Sequence, residues 1–489
     1  MADVSELPEP FNFYRLVLES EHLHFGLWPE GEDSLSLEQA QDKMFQAVRN
    51  LLPEPPASVL DVGCGLGLSA YLLATLGYHV TAIAPSEEMV SYARGRWAWR
   101  GLEFLNEGFL DRKGRAFIKN HYEVILFQES LQYLRPLSDV FKRARELLKP
   151  QGYVIIADEV RLSGSVAIQT AVHSHHDIRS SLCEHGFCVL VEKDVSKNTL
   201  PTCDEVIERL NERFETLVTE AATENAQQRL SELVEGWKRQ KKFHQNGQMG
   251  YVLMAARKDR IFLRPYRQGD EKGILRLFKI AFGTERTIEH WTWKFKENPY
   301  GNLKIVEAVN EEGKLQAHYA GYPVPFYMSG SNPERMTAFQ IGDTMTDPSV
   351  RFSGIGRRSV LGRATYYFYD KFCVEQVPFI YGFNTGKIKK LGERFLGYDY
   401  LEPISYFVKT LSQESRWQRA WNHIASTLRR LKVRLVDEIT SEYDEFFEKV
   451  AGDYGLLVER SSRYLRWRYL DCPDKRHLFF EVRKGRHLV

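Results

Sequence analysis

From about residue 57 the chain alternates short apolar runs with longer amphipathic stretches. Segment 58–62 (SVLDV) predicts a buried strand, 68–76 a helix, 78–84 (YHVTAIA) a second strand and 86–96 a second helix. A short third strand at 103–105, a fourth at 121–128 (HYEVILFQ) and a fifth at 152–158 (GYVIIAD) follow. A helix over 140–148 precedes the fifth strand and is stopped by Lys149-Pro150-Gln151-Gly152. Apolar runs of strand length separated by helical patterns imply βαβ units and a parallel sheet, so the fold class is α/β. Residues 186–195 and 250–256 predict two more strands. The polar stretch 202–240 between them, rich in Glu, Arg and Leu, predicts a helical insertion at about 200–245. That insertion is either a cap over the sheet edge or a solvated helical hairpin. A new pattern opens with IFLRPYRQGDEKGILRLFKIAF, a strand, a polar turn and an amphipathic helix. The predicted domains are therefore 1–258 and 259–489.

Length agrees, since 489 residues exceed what one ordinary core organises. An apolar fraction of 43% and a charged fraction of 27% belong to a globular chain. The formal net charge of +1 gives no electrostatic footprint for nucleic acid or an anionic membrane, so a small molecule is the expected partner. Cysteines 64, 183, 188, 203, 373 and 472 form no CxxC pair, which argues against a zinc site or a disulfide framework and fits a reducing compartment. The opening MADVSELPEPFNFYRL lacks a basic n-region and an apolar h-region, and no apolar run is long enough to span a bilayer. The cytoplasm is the expected location.

The sharpest motif is Val59-Leu60-Asp61-Val62-Gly63-Cys64-Gly65-Leu66-Gly67, an apolar strand running into alternate glycines and then a helix. Glycine permits a tight turn and close approach of a ligand, and the helix N-terminus offers unpaired N–H groups. The D-x-G-x-G-x-G spacing resembles motif I of class I methyltransferases that use S-adenosylmethionine (SAM). The opening EHLHFGLWPEGEDSLSLEQAQDKM and the tail GFCVLVEKDVSKNTLPTCDEVIERL are similar to the small-molecule members of that family. The resemblance, over roughly residues 10–256, implies a Rossmann-like domain whose Asp61, Gly63, Cys64, Gly65 and Gly67 hold the methionine part of SAM. One departure stands out. The family carries an acid at the end of the second strand for the ribose, whereas this chain has Ala84-Pro85-Ser86-Glu87. Ser86 or Glu87 is then the ribose contact, and Phe109 either stacks on adenine or belongs to the core.

Methyl transfer is an in-line displacement in which positioning provides much of the catalysis, and a hydroxyl acceptor also needs a base. The carboxyl ends of parallel strands face the ligand crevice, which singles out Gln128, Glu129 and Tyr133 after strand four. His173-Ser174-His175-His176-Asp177 follows strand five, so His173 and His176 are candidate bases, against a plain reading as exposed histidines at a helix start. Their spacing does not complete a metal site, and no metal is expected. Tyr14, His22 and His24 are candidates for the acceptor pocket wall.

In the second half, Arg351-x-x-Gly354-x-Gly356 lies between an apolar stretch (MTAFQIG) and a helical one (SVLGRATYYFYDKF). It resembles the R/Q-x-x-G-x-G/A motif of GNAT acetyltransferases. Asn384 and Leu396-Gly397-Tyr398 resemble that family's closing helix and turn, and Trp291–Phe295 and Tyr464–Tyr469 a longer GNAT-like subgroup. The resemblance implies a mixed α+β domain that binds acetyl-CoA or another acyl-CoA through Arg351, Gly354, Ile355, Gly356 and Arg357. Asp343 and Tyr398 are the candidate base and acid, or structural residues. The final FFEVRKGRHLV reads like mid-strand, which predicts truncation. Together these features predict a bifunctional tailoring enzyme, a SAM-dependent methyltransferase fused to a GNAT-like acyltransferase, acting on a small molecule or on a group held by a separate carrier protein. The alternative is a methyltransferase whose GNAT-like half recognises substrate, carrier or partner without catalysis.

Overall fold

The computed structural model describes residues 7, 11–32, 34–162, 172–221, 225–374, 376–383, 387–402 and 431–489. It divides into two compact units, Met1–Leu263 and Arg264–Val489. Asn384 lies outside the described residues.

The first unit opens with helices α1 (Phe11–Leu18) and α2 (Leu37–Arg49). The alternating region follows as β1 (Ser58–Val62), α3 (Leu68–Thr75), β2 (His79–Ala84), α4 (Glu87–Arg96), β3 (Leu102–Asn106), β4 (Tyr122–Gln128), α5 (Leu137–Leu147), β5 (Leu148–Arg161), α6 (His175–Glu184) and β6 (Phe187–Asp194). Then come α7 (Ser196–Thr199), α8 (Pro201–Glu212), α9 (Phe214–Ala221), α10 (Ala226–Gln245) and β7 (Met249–Lys258). The sheet order is β3-β2-β1-β4-β5-β7-β6, with β7 antiparallel to both neighbours and the β3-to-β5 pairs parallel. The two-residue period of a strand explains its two faces. Val59 packs in one core with Ala70 and Leu73 of α3, whereas Leu60 and Val62 pack in a second with Val140, Phe141 and Ala144 of α5. The 149–152 stretch does more than stop α5. It lies inside β5, where the pairing with β4 jumps from Tyr122↔Leu148 to Val124↔Tyr153.

The second unit carries β8 (Ile261–Pro265), within which the division falls, then α11 (Glu271–Phe282), α12 (Ile288–Trp291), β9 (Lys304–Asn310), β10 (Leu315–Met328), β11 (Glu334–Thr346), α13 (Val360–Phe372) and β12 (Ile380–Gly382). These strands form a sheet in the order β12-β11-β10-β9-β8. β9, β10 and β11 are antiparallel, and β12 pairs parallel to β11 from Phe339↔Ile380 to Ile341↔Gly382. No helix among the described residues is long and apolar enough to cross a membrane.

Candidate active site

β1 and β4 are adjacent, yet their helices depart in opposite directions along the sheet, and a crevice opens at such a switch point. A cavity of about 740 Å³ lies there. The loop after β1 forms one wall. Gly63 has φ +76, and a Cβ at this position would stand 2.6 Å from the Cβ of Ser130, so only glycine fits. Its N–H donates to the Ile83 carbonyl at 2.9 Å. Asp61, Cys64 and Gly65 line the cavity, and Gly67 is the N-cap residue of α3. Asp61 is 3% exposed, and its Oδ2 has no hydrogen-bond partner. Burial pushes its carboxyl up to about 7. An orphaned buried carboxylate oxygen is costly unless a cation meets it.

The opposite wall comes from the ends of β4 and β5, the segment after α1, and α10. Gln128 lines the cavity, and its buried Nε2 has no partner. Glu129 follows with φ +53, a conformation that side chains larger than glycine adopt at a cost. The strained backbone places a buried carboxylate in the cavity wall, where Oε1 accepts from the Phe25 N–H at 2.6 Å and the Tyr251 hydroxyl at 2.9 Å. Burial raises the Glu129 carboxyl well above its ordinary range, as it raises Asp158 to about 8. Glu159 accepts from Gln240 at 2.7 Å and pairs with His244 at 2.8 Å. His22 and His24 also line the cavity, joined ring to ring at 3.0 Å. Burial lowers them to about 4 and about 3, so both are neutral at physiological pH.

Residues 36–189 match the family model described as a methyltransferase domain. A phosphoethanolamine N-methyltransferase 1 from Zea mays is 26% identical over 222 residues, 43% of this chain and 43% of that protein. The chain carries a class I SAM-dependent methyltransferase domain. An O-methyltransferase from Pyrenophora dematioidea is 26% identical over 197 residues, 37% of this chain and 73% of its own length. The cyclopropane synthase MmaA2 of Mycobacterium tuberculosis is 15% identical with a TM-score of 0.45, covering 53% of this chain and 97% of that structure. The chain spans less than half of the maize protein.

The methyltransferase domain fits SAM in its own atoms. Asp61 Oδ2 is an unmet acceptor for an ammonium group, and Gln128 Nε2 and Ser130 Oγ are buried polar atoms without partners. Bound, SAM supplies an activated methyl group. Ser86 lines the cavity, but its hydroxyl caps α4 by accepting from the Met89 N–H at 3.2 Å. Glu87 is not at the cavity. It is exposed and occupied with Ser91 and Arg94, because the first turn of α4 points it outward. Phe109 both lines the cavity and belongs to the core, edge-on to Phe127 at 5.3 Å. Tyr14 and Tyr133 line the cavity as well.

His173 and His176 stand away from the lining. The first engages the Leu134 carbonyl at 3.0 Å and the second lies 3.5 Å from the Asp177 carboxylate, so neither is placed as a base. Sequence reasoning missed Phe25, Glu159 and Trp237, all of which line the cavity. Trp237 had a signal in the buried spacing Leu230, Val234, Trp237 on α10, the inward face of the expected helical insertion. That helix forms part of the cavity wall through Trp237, Gln240 and Phe243.

In the second unit Arg351, Ile355 and Arg357 are exposed on the loop before α13. Gly354 has φ +124, and a Cβ there would stand 2.7 Å from the Arg358 carbonyl oxygen. Gly356 is buried against the Phe395 ring. Asp343 is not a free base, since its two oxygens are taken by Arg286 and by Lys294, the latter at 3.0 Å. The Tyr398 hydroxyl pairs with that of Tyr319 at 2.7 Å, and burial raises it.

Proposed function

We propose that the first unit transfers the methyl group of SAM to a small-molecule or carrier-bound acceptor, and that the second unit is a recognition module without catalysis. The observation that carries the first part is the orphaned Asp61 carboxylate oxygen beside the glycine loop, inside a cavity large enough for more than one partner. The family match over 36–189 supports it. The names of the maize and Pyrenophora relatives place methyl groups on nitrogen in one and oxygen in the other, so they leave the acceptor atom open. Calorimetric titration of the full chain with SAM and with S-adenosylhomocysteine is expected to give saturable binding at one site per chain. Folded protein that binds neither sinks the reading.

Acyl transfer is the second reading. It is supported by the strand order with β12 parallel to β11, and by exposed Arg351, Arg357 and Arg358 on a glycine loop that enters the N-terminus of α13. Against it stands Asp343, whose carboxylate is already held by two cations. Protein that binds SAM is expected to show no saturable binding of acetyl-CoA. Saturable binding that an Arg351→Glu, Gly354→Glu double variant abolishes would establish an acyl-CoA site in its place.

A further inference from the structure

The cavity wall opposite the glycine loop has a chemistry of its own. Tyr14, Phe25 and Trp237 line it as a set of rings. Trp237 stands edge-on to Tyr14 at 6.3 Å and 5.6 Å from Phe25 between centroids. The backbone of Phe25 is tied to the Glu129 carboxylate, and the Phe25 ring packs 5.7 Å from that of Tyr251, which holds the same carboxylate. Rings and carboxylate are thus one assembly. Both hydrogen bonds of the Glu129 carboxylate go to Oε1, and Oε2 makes none. Trp237 is 8% exposed, and its indole N–H has no partner. Both residues line the same cavity.

Acidic side chains outnumber basic ones in the lining around them. Glu159 adds a second carboxylate to the lining. The basic lining residues are His22 and His24, held neutral by burial, and Arg239, which is exposed. Aromatic faces carry negative potential and attract a cation placed over them, more so when it is desolvated. Burial resists ionisation of Glu129, and a cationic guest among the rings favours its charged form, so this wall suits a positively charged guest over a neutral or anionic one.

We propose that the acceptor is an amine, its nitrogen seated between the Glu129 carboxylate and the rings of Tyr14, Phe25 and Trp237. The proposal rests on the methyltransferase reading above. The bound ammonium first gives a proton to the Glu129 carboxylate, and the freed lone pair forms the N–CH3 bond as the S–CH3 bond breaks, the electrons of the broken bond staying on sulfur as a thioether. The positive charge passes from sulfur to nitrogen. The methylated nitrogen leaves as an ammonium, and the proton held by Glu129 passes to water. Glu129 accordingly touches the reacting nitrogen, whereas Tyr251 is a positioning residue that fixes the carboxylate.

The test uses two probes of the same shape. The full chain, saturated with S-adenosylhomocysteine, is titrated with choline chloride, a permanent cation, and with 3,3-dimethylbutan-1-ol, its neutral carbon analogue. Choline is expected to bind at least tenfold more tightly. Glu129→Gln, which keeps an acceptor for Phe25 and Tyr251, is expected to remove that preference while leaving S-adenosylhomocysteine affinity within twofold. In parallel, methyl label from SAM is expected on primary or secondary amines and not on phenols or alcohols. Equal binding of the two probes, a Glu129→Gln variant that keeps the preference, or label on oxygen overturns the amine proposal while the methyltransferase reading stands. Folded protein that fails to bind S-adenosylhomocysteine takes both down.

Discussion

Replacing Asp61 with asparagine is expected to weaken SAM binding about a hundredfold, consistent with losing a charge-assisted hydrogen bond worth roughly 1.5–3 kcal/mol. The side chain is 3% exposed and its Oδ2 is unpaired, so the carboxylate has no counterpart inside the protein. Burial alone raises it to about 7. In the free protein Asp61 is therefore mostly protonated below that pH. A bound ammonium group favours the charged form and expels the proton. SAM affinity is expected to fall about tenfold for each pH unit below 7 and to flatten above it. Calorimetry in buffers of different ionisation enthalpy should detect the released proton. The amide of the Asp61→Asn variant cannot titrate, so the slope disappears with the substitution. Stability moves the other way. A carboxyl raised above its unfolded value makes the folded, unliganded protein bind more protons than the unfolded chain, so its stability falls as pH rises from about 4 towards 7. At pH 8 the ligand-free Asp61→Asn protein is expected to melt above the parent. Equal SAM affinity in parent and variant, or a flat pH dependence in the parent, would refute this role for Asp61.

The glycine loop was legible because its geometry is local. Asp61, Gly63, Cys64 and Gly65 lie on five consecutive positions, and one strand, one turn and one helix start bring them to the ligand crevice. The strand alternation of residues 58–158 was legible for the same reason, since burial on both faces of a parallel sheet leaves apolar runs bounded by turn residues. The acceptor wall was not. Glu129 was found from its place at a strand end, but 104 positions separate it from Phe25 and 122 from Tyr251. No local pattern announces that those three share hydrogen bonds. His173 and His176 show the converse. Their closeness to an aspartate in sequence looked like an oriented base, yet the segment that carries them turns one imidazole onto a backbone carbonyl. Ser86 was found at the strand end too, and its hydroxyl is shared with the helix cap it makes. In the second half the opening strand and helix and the helix after Gly356 followed from the apolar pattern, whereas β9 and β10 were not read from it. The partners of Asp343 did not, because Arg286 is 57 positions away and Lys294 is 49.

Those partners set the last expectation. Asp343→Asn should cost the second unit about 3–5 kcal/mol, because it leaves buried cations without a counter-ion. Arg286, Lys294 and Asp343 have side chains only 11%, 14% and 8% exposed. Asp343 sits with φ +58 where Tyr319 of β10 faces two residues of β11, a bulge that turns the carboxylate towards both cations. The adjacent Lys294 and Arg286 hold its carboxyl far below the ordinary aspartate range despite burial. A depressed carboxyl contributes stability that is present above its unfolded value near 4 and is lost as pH falls further, so the parent should hold this contribution across the neutral range. Lys294 is lowered by burial and supported by Asp343. Without that carboxylate the lysine must shed its proton to stay buried. A lowered lysine gains stability as pH rises towards its unfolded value near 10, so the variant, whose lysine has lost the supporting carboxylate, should recover more on the alkaline side than the parent does. Hydrogen exchange resolves the effect by segment: protection should drop across β9, β10 and β11 and hold across β1 to β5. A catalytic base at this position predicts the opposite, a variant with unchanged protection and lost turnover. Undiminished protection at pH 7 would show that the carboxylate is not needed to neutralise Arg286 and Lys294, and would leave Asp343 free to act on a substrate.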